Sequence, residues 1–587
     1  MRTLVVVLVI LADFLVFGSP RKPHIVFILV DDMGWNDVGF TGNSDLQTPN
    51  IDTLAYNGRV LRQQYAQPTC TPSRSALLTG KYPIRTGMQG YPLGPDEPRA
   101  LPLDHKVLPE YLKDLGYRTH LLGKWHLGYH DWKFTPLARG FDSHFGYMNG
   151  FVGYYDHRMN ARNMSGHDFW RGTEQMLHLQ GQYVTDLLTE EAERLIEGAA
   201  KDEKPMFMLL SHLAVHSGNE GTDHEYHEED IKRFSYIPDE NRRKYAAMVW
   251  SLDKSVGRVV KALAKNNLLE DTLIAFMSDN GAQTRGLYAN DGSNFPLRGL
   301  KFTMYEGGIR SVGAIWHSGM HGQQFGPLSS LFHVTDWLPT LYAAAGGNLT
   351  DLSGLDGKTQ WEVINDEVNS VENSIANSEY QVRKEILLNI DERLGLSGIR
   401  YKNWKYLNGS YVNGAYDSHM GDYRNDFYSY SLENLAKSEV AKDFEQKFPA
   451  IRPIDKNHIA KVRGENTIKC SQGESTTPCN LGEGPCLFDL NADPCEQNNL
   501  IAQEPEIVQF MLAKLDTYSS QLTPQLNTKG DPEANPKLHN NSWVPWRGGS
   551  LCNGNRCFIS SANSLFASSK QCLVGAVGGF LGSRLLT

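Results

Sequence analysis

From His24 to about residue 345 short apolar runs alternate with amphipathic stretches. His24–Val30 is rich in β-branched and other apolar residues and stops abruptly at Asp31-Asp32, which predicts a strand. Thr119–Leu122, Met206–Leu210 and Leu273–Met277 predict further strands, the last ending at Ser278-Asp279-Asn280. Between them lie helical patterns. Ser73–Thr79 is closed by Gly80, and Tyr183–Ile196 carries apolar residues at helical spacing. Tyr245–Leu263 repeats Val249, Leu252, Val256, Val259 and Leu263 at intervals of three or four, and Val334–Ala345 ends at Gly346-Gly347. Strands alternating with helices predict an α/β fold: a large mixed, mostly parallel sheet flanked by helices.

Beyond about residue 390 the texture changes. Strand-like pieces such as Gly398–Leu407 and Cys486–Leu490 sit among polar, Tyr-rich and Cys-bearing loops. This predicts a smaller C-terminal domain on an antiparallel sheet, spanning 391–550, after a large domain over 20–390. A Cys-bearing tail, 551–587, follows.

Composition narrows the class. The chain has 587 residues, with 57 Lys+Arg against 67 Asp+Glu, a net charge of −10. Hydrophobic content of 40% with 21% charged residues excludes a disordered chain and a polytopic membrane protein. The acidic balance disfavours nucleic acid as a partner. Arg2 followed by the apolar stretch Leu4–Phe17 reads as a secretory signal over 1–19, too short for a bilayer that needs about 20 apolar residues. Asn163, Asn348, Asn408 and Asn540 open glycosylation sequons, which in a secreted chain mark surface. Cys70 stands alone in the first 469 residues, whereas Cys470, Cys479, Cys486, Cys495, Cys552, Cys557 and Cys572 crowd the C-terminus. An oxidising compartment predicts disulfides there, with connectivity open. The 9-7-9 spacing of the first four lacks the knuckle of a zinc site.

In open α/β sheets the ligand site lies beyond the carboxyl ends of the strands. Two such ends carry oxygen ligands: Asp31 and Asp32 after the first strand, Asp279 and Asn280 after a later one. Either pair alone could cap a helix. Together, three carboxylates and an amide make a hard oxygen cage suited to Ca²⁺ or Mg²⁺.

The most specific stretch is Cys70-Thr71-Pro72-Ser73-Arg74, continuing to Thr79-Gly80-Lys81. It resembles the sulfatase signature, whose Cys is oxidised to formylglycine during secretion. Gly123-Lys124-Trp125-His126-Leu127-Gly128 is similar to the second signature of that family, and Asp31-Asp32-Met33-Gly34-Trp35, Thr48-Pro49-Asn50-Ile51-Asp52 and Ser278-Asp279-Asn280-Gly281 extend the likeness. Asn294–Lys301, Glu306–Arg310, Trp404-Lys405, Leu487–Leu490 and Trp543-Val544-Pro545-Trp546 resemble the arylsulfatase B (N-acetylgalactosamine-4-sulfatase) branch, to which the glucosinolate sulfatases of plant-feeding insects are related.

The resemblance implies a sulfuric ester hydrolase matured by a formylglycine-generating enzyme and using one Ca²⁺, with Mg²⁺ an alternative, held by Asp31, Asp32, Asp279, Asn280 and modified Cys70. Formylglycine would hydrate to a geminal diol whose one hydroxyl attacks sulfur. Arg74 and Lys124 would neutralise sulfate and diol oxygens, and Lys301 and His216 would face the leaving oxygen, with His216 a candidate acid. His126 would take the proton of the second hydroxyl and so expel sulfate, an exit that a plain serine lacks. The implied substrate is a sulfated sugar or small molecule, in the secretory pathway, extracellular or lysosomal. A different class of reading, a non-catalytic binder of sulfated glycans that keeps the fold, needs only an unmodified Cys70. Residues 220–230 hold six acids and no Lys or Arg; as a pocket rim they would repel a polyanionic glycan.

Overall fold

The computed structural model describes residues 22–365, 383–417, 426–470 and 477–548, with the backbone of 550–553 and 556–559. The signal segment, Cys572 and most of the tail lie outside the described residues.

Nine strands form the main sheet: β1 (His24–Val30), β2 (Arg59–Val60), β3 (Arg118–Lys124), β4 (Ser143–Tyr147), β5 (Trp170–Arg171), β6 (Glu174–Gln175), β7 (Met206–Ser211), β8 (Thr272–Ser278) and β9 (Gly313–His317), in the order β2-β9-β8-β1-β7-β3-β4-β5-β6. The central run β8-β1-β7-β3-β4 is parallel, and antiparallel strands close both edges. Strands covered on both faces read as unbroken apolar runs, which is why β1, β7 and β8 are legible in the sequence and fully or almost fully buried here. The helices α1 (Pro49–Tyr56), α2 (Cys70–Thr79), α3 (Val184–Ala199), α4 (Glu240–Lys265) and α5 (Trp337–Ala344) flank it.

Three sequence expectations need correction. Helix α2 begins at Cys70 rather than Ser73, because Pro72 sits in the first turn, where a missing N–H costs nothing. The helix predicted from Val334 opens with a 3₁₀ turn, Val334–Asp336, before α5. Gly398–Leu407 is not one strand. It is the hairpin β11 (Leu396–Tyr401) and β12 (Trp404–Asn408), turning where Lys402 takes φ 53°.

With β10 (Glu385–Asp391) and β13 (Cys486–Asp489) this hairpin forms a four-stranded antiparallel sheet. β10 starts ahead of residue 391. Met511 and Leu515 of α6 (Pro505–Ser519) pack on it with Leu387, Ile399, Tyr406 and Leu487. Disulfides Cys470–Cys495 and Cys479–Cys486 brace the adjoining loops. The small domain also grips the large one. Buried Lys405 pairs with Glu306 at 3.0 Å and Glu496 at 2.7 Å, and Glu496 accepts the backbone N–H of Glu306. Arg298 donates to the carbonyls of Asp417, Cys479 and Glu496. The segment carrying Lys301 is thereby pinned from both ends.

Asp253 of α4 accepts the N–H groups of Asn50 and Ile51 at the start of α1, at 3.0 and 2.9 Å. Burial outweighs these bonds and pushes its carboxyl up to about 7. Between the ordinary carboxylate range and 7 the folded chain therefore holds a proton that the unfolded chain has released, and this group's stabilisation is lost as pH rises through that window. Asp253→Asn should accordingly flatten the fall in stability between about pH 4 and about pH 8, measured by urea unfolding against the parent protein.

Candidate active site

The carboxyl ends of β1, β3, β7 and β8 converge on one site. Asp31 and Asp32 follow β1, Asp279 and Asn280 follow β8, Lys124 ends β3 and Ser211 ends β7. Asp32 and His126 both have left-handed φ, 58° and 57°, a conformation that costs a non-glycine residue free energy and is kept where neighbours impose it. Gly123 serves the same convergence: a Cβ there would collide with the carbonyl of Ser211 across the β3–β7 pair.

The charges pair one to one. Lys124 Nζ reaches Asp31 Oδ2 at 2.6 Å, Lys301 Nζ reaches Asp32 Oδ2 at 2.7 Å, and Arg74 Nη2 reaches Asp279 Oδ2 at 2.9 Å. Arg74 also donates Nη1 to Ser211 Oγ at 2.6 Å, while Ser211 Oγ donates to the Lys124 carbonyl. All of these side chains are buried. Burial would raise Asp31, but Lys124, His216 and Arg74 outweigh it and hold the carboxyl below its usual range. Asp279 is pushed up by burial and by the charge of Asp31. Burial would lower Lys301, yet Asp32 overrides it and keeps the ammonium charged.

Cys70 opens α2, two per cent exposed, with Sγ 3.5 Å from Asp31 Oδ1. Burial, then the Asp279 charge, pushes its thiol far above the ordinary value, so the thiol as it stands is neutral. Ligand atoms of Asp31, Asp32, Cys70 and Asp279 all lie within 4.8 Å of one another. Asn280 Nδ2 donates to Asp32 Oδ1 at 2.6 Å, leaving Asn280 Oδ1 buried without a hydrogen-bond partner. Crowded hard oxygens and an orphaned amide oxygen fit a divalent cation. With three carboxylates already matched by three cations, such an ion would leave an excess of two positive charges for an anionic ligand.

The two histidines are set differently. His126 Nε2 lies 2.9 Å from the Leu93 carbonyl and must donate there, which leaves Nδ1 as a bare acceptor, buried and unpartnered. Burial, then Lys124, pushes this ring well below its usual value. His216 Nδ1 lies 2.7 Å from the Ser217 carbonyl, so Nε2 faces Asp32 Oδ2 at 3.6 Å, and the ring stacks on Phe151. Burial lowers His216 as well.

Cys70, Lys124, His126, His216 and Lys301 line one cavity of about 560 Å³, walled by Tyr91, Phe151, Leu287, Tyr288, Phe302 and Tyr416. The other predicted catalytic and metal-ligand candidates, Asp31, Asp32, Arg74, Asp279 and Asn280, do not line the cavity but are bonded to its lining or to one another directly behind it. The acidic residues 220–230 do not line the cavity itself, although Glu220 is close enough to wall residue Tyr288 to help burial raise its hydroxyl; Asp230 pairs with Lys254. Sequence reasoning missed Ser211, Leu93 and Phe151. Ser211 was the legible one, as a polar residue ending an apolar strand.

The sulfatase family profile matches residues 23–347. The chain belongs to the sulfatase family. This sulfatase is similar to arylsulfatase J of Mus musculus, 34% identical over 90% of this chain and 81% of that one, and to N-acetylgalactosamine-6-sulfatase of Canis lupus familiaris, 33% identical over 57% and 68%. Among solved structures, Ps i-CgsB superposes with a TM-score of 0.65 at 25% identity, covering 89% of this sulfatase and 98% of that chain. The enzyme is a sulfuric ester hydrolase.

Proposed function

We propose that this sulfatase works through formylglycine made from Cys70, beside one Ca²⁺ or Mg²⁺ bound by Asp31, Asp32, Asp279 and Asn280. The observation that carries the reading is the place of Cys70, at a helix N-terminus within 4.8 Å of three carboxylate ligand atoms, with a thiol too basic to serve as a thiolate. An aldehyde hydrate at this position supplies a nucleophilic oxygen and a second hydroxyl through which sulfate can leave, and the cation supplies positive charge to both anions. The chain's own residues do the rest. Arg74 and Lys124, fixed by Asp279 and Asp31, present positive charge without reorganising. Nδ1 of His126 is free to accept a proton. Lys301, held protonated, and His216 Nε2 both reach Asp32 and line the cavity, and in this reading they face the leaving oxygen. Because Cys70 is buried, its conversion by a formylglycine-generating enzyme has to precede folding.

The substrate class we favour is a sulfated sugar of the N-acetylgalactosamine 4-sulfate type or a small-molecule sulfate of the glucosinolate type, in line with the arylsulfatase B-like motifs. The aromatic walls suit a ring beside the scissile sulfate. We place the enzyme in the secretory pathway, secreted or lysosomal. Two disulfides suit that compartment, as do the exposed sequon residues Asn163, Asn348 and Asn540 and half-buried Asn408. Among the described residues no helix is long and apolar enough to cross a membrane. The test is a panel of matched aryl, sugar and glucosinolate sulfates with their phosphate counterparts. Sulfate release should exceed phosphate release by about 100-fold or more; comparable phosphate release would overturn the assignment.

A further inference from the structure

Met159, Ala161 and Arg162 line one side of the active-site cavity, and all three belong to the hairpin of Arg158–Ala161 and Met164–His167 or to its turn. The two turn residues, Arg162 and Asn163, both have left-handed φ, 52° and 62°, as a tight two-residue hairpin turn requires. Asn163 is exposed and opens the acceptor Asn163-Met164-Ser165. The turn is tied down. Arg162 bonds Asp96 at 2.5 Å and approaches Glu97 at 3.5 Å, in the loop whose Tyr91–Pro95 residues line the same cavity. Arg158 donates Nε and Nη2 to Ser165 Oγ across the hairpin. The Cα of Asn163 thus lies one Cα step, about 3.8 Å, from that of Arg162 in the cavity wall, and a glycan on the Asn163 side chain would be rooted beside that wall.

We propose that the N-glycan on Asn163 stands at the rim of the active-site cavity and filters substrates by size, admitting small sulfate esters and hindering sulfated oligosaccharides. This rests on the sulfatase chemistry proposed above. A cavity of about 560 Å³ encloses a small molecule, so any longer substrate must extend across the rim. A bulky hydrated glycan rooted in a fixed turn occupies that path. Electrostatics does not favour the longer substrate: Arg162 at the rim is already paired with Asp96, and the positive excess of a filled cation site lies with Lys124 and Lys301 at the buried carboxylates, where it serves small and long sulfate esters alike.

The experiment compares the parent protein, Asn163→Gln and Ser165→Thr, which keeps the acceptor, all secreted from a glycosylating host. Peptide mass spectrometry should find Asn163 occupied in the parent and in Ser165→Thr. With Asn163→Gln, kcat/KM for a sulfated oligosaccharide should rise about tenfold while that for a small aryl sulfate stays within about twofold. Ser165→Thr should match the parent on both. Endoglycosidase trimming of the folded parent should reproduce the Asn163→Gln result. An unoccupied Asn163, or an equal response of the two substrates, overturns the filter. Should no ester release sulfate in any protein, the sulfatase chemistry fails separately. Calorimetric binding of the oligosaccharide, tighter to Asn163→Gln than to the parent if the filter exists and equal if it does not, then decides the proposal.

Discussion

Cys70→Ala should abolish sulfate release, lowering kcat by about 10⁴-fold or more, and leave the protein folded. The two halves of that expectation have separate causes. In the fold the side chain does little: one weak S–H donor 3.5 Å from Asp31, in a helix whose other nine residues and αL cap at Gly80 are untouched. Losing it should cost about 1 kcal/mol, read as a small shift in thermal midpoint. In the chemistry nothing replaces it. Ser73 is occupied, donating to the Asp279 carbonyl and accepting from the Gln67 N–H. A variant that unfolds would leave the catalytic claim open, so folding is checked by the thermal midpoint before rates are compared. Residual turnover within about tenfold of the parent would mean that the nucleophile lies elsewhere.

Asp279→Asn should act on stability and rate together. Asp279 Oδ2 takes both Arg74 Nε at 3.1 Å and Nη2 at 2.9 Å, whereas the nearest oxygen of Asp31 is 3.8 Å from the guanidinium. Neutralising this carboxyl leaves a buried cation short of its partner, a loss of about 3–5 kcal/mol when one side of such a pair is removed. It also takes one hard oxygen from the cation cage and frees Arg74 from the orientation that presents charge to sulfate. Turnover measured well below the melting transition should fall about 10³-fold. Chelation of divalent ions in the parent protein should lower activity in the same direction while sparing the Arg74–Asp279 pair, which separates the two contributions. Near-normal turnover by Asp279→Asn would remove this residue from the site.

Much of the fold was readable because its core strands are buried on both faces. His24–Val30 and Thr272–Ser278 sit side by side in register, so the carboxylates that follow them in the sequence end at the same edge of the sheet. That adjacency, given two strand-end pairs, makes the candidate metal ligands legible without side-chain coordinates. Shorter strands toward the sides of the sheet were harder. Ser143–Tyr147 contains Gly146 and two polar residues, and Gly313–His317 is five residues long with Gly and His at its ends, so neither carries the long apolar run of β1. The hairpin at Lys402 was missed because alternation runs through its two-residue turn without a Gly. Within the site, the sequence could name Lys124 and His126 only through their motif. It could not show that the Leu93 carbonyl selects the His126 tautomer, nor that Phe151 stacks on His216, since both contacts join segments distant along the chain. Residues 220–230 illustrate the converse: an acidic stretch close to His216 in sequence supplies no lining residue, although Glu220 acts on Tyr288 in the cavity wall.

The most direct test of the account is mass spectrometry of the Cys70 peptide from protein secreted by cells that contain the maturation enzyme, with carbonyl-reactive labelling. The account predicts loss of the sulfur, a mass matching the aldehyde or its hydrate, and a label on residue 70 whose stoichiometry tracks specific activity. An active preparation in which residue 70 is wholly an unmodified thiol would contradict it.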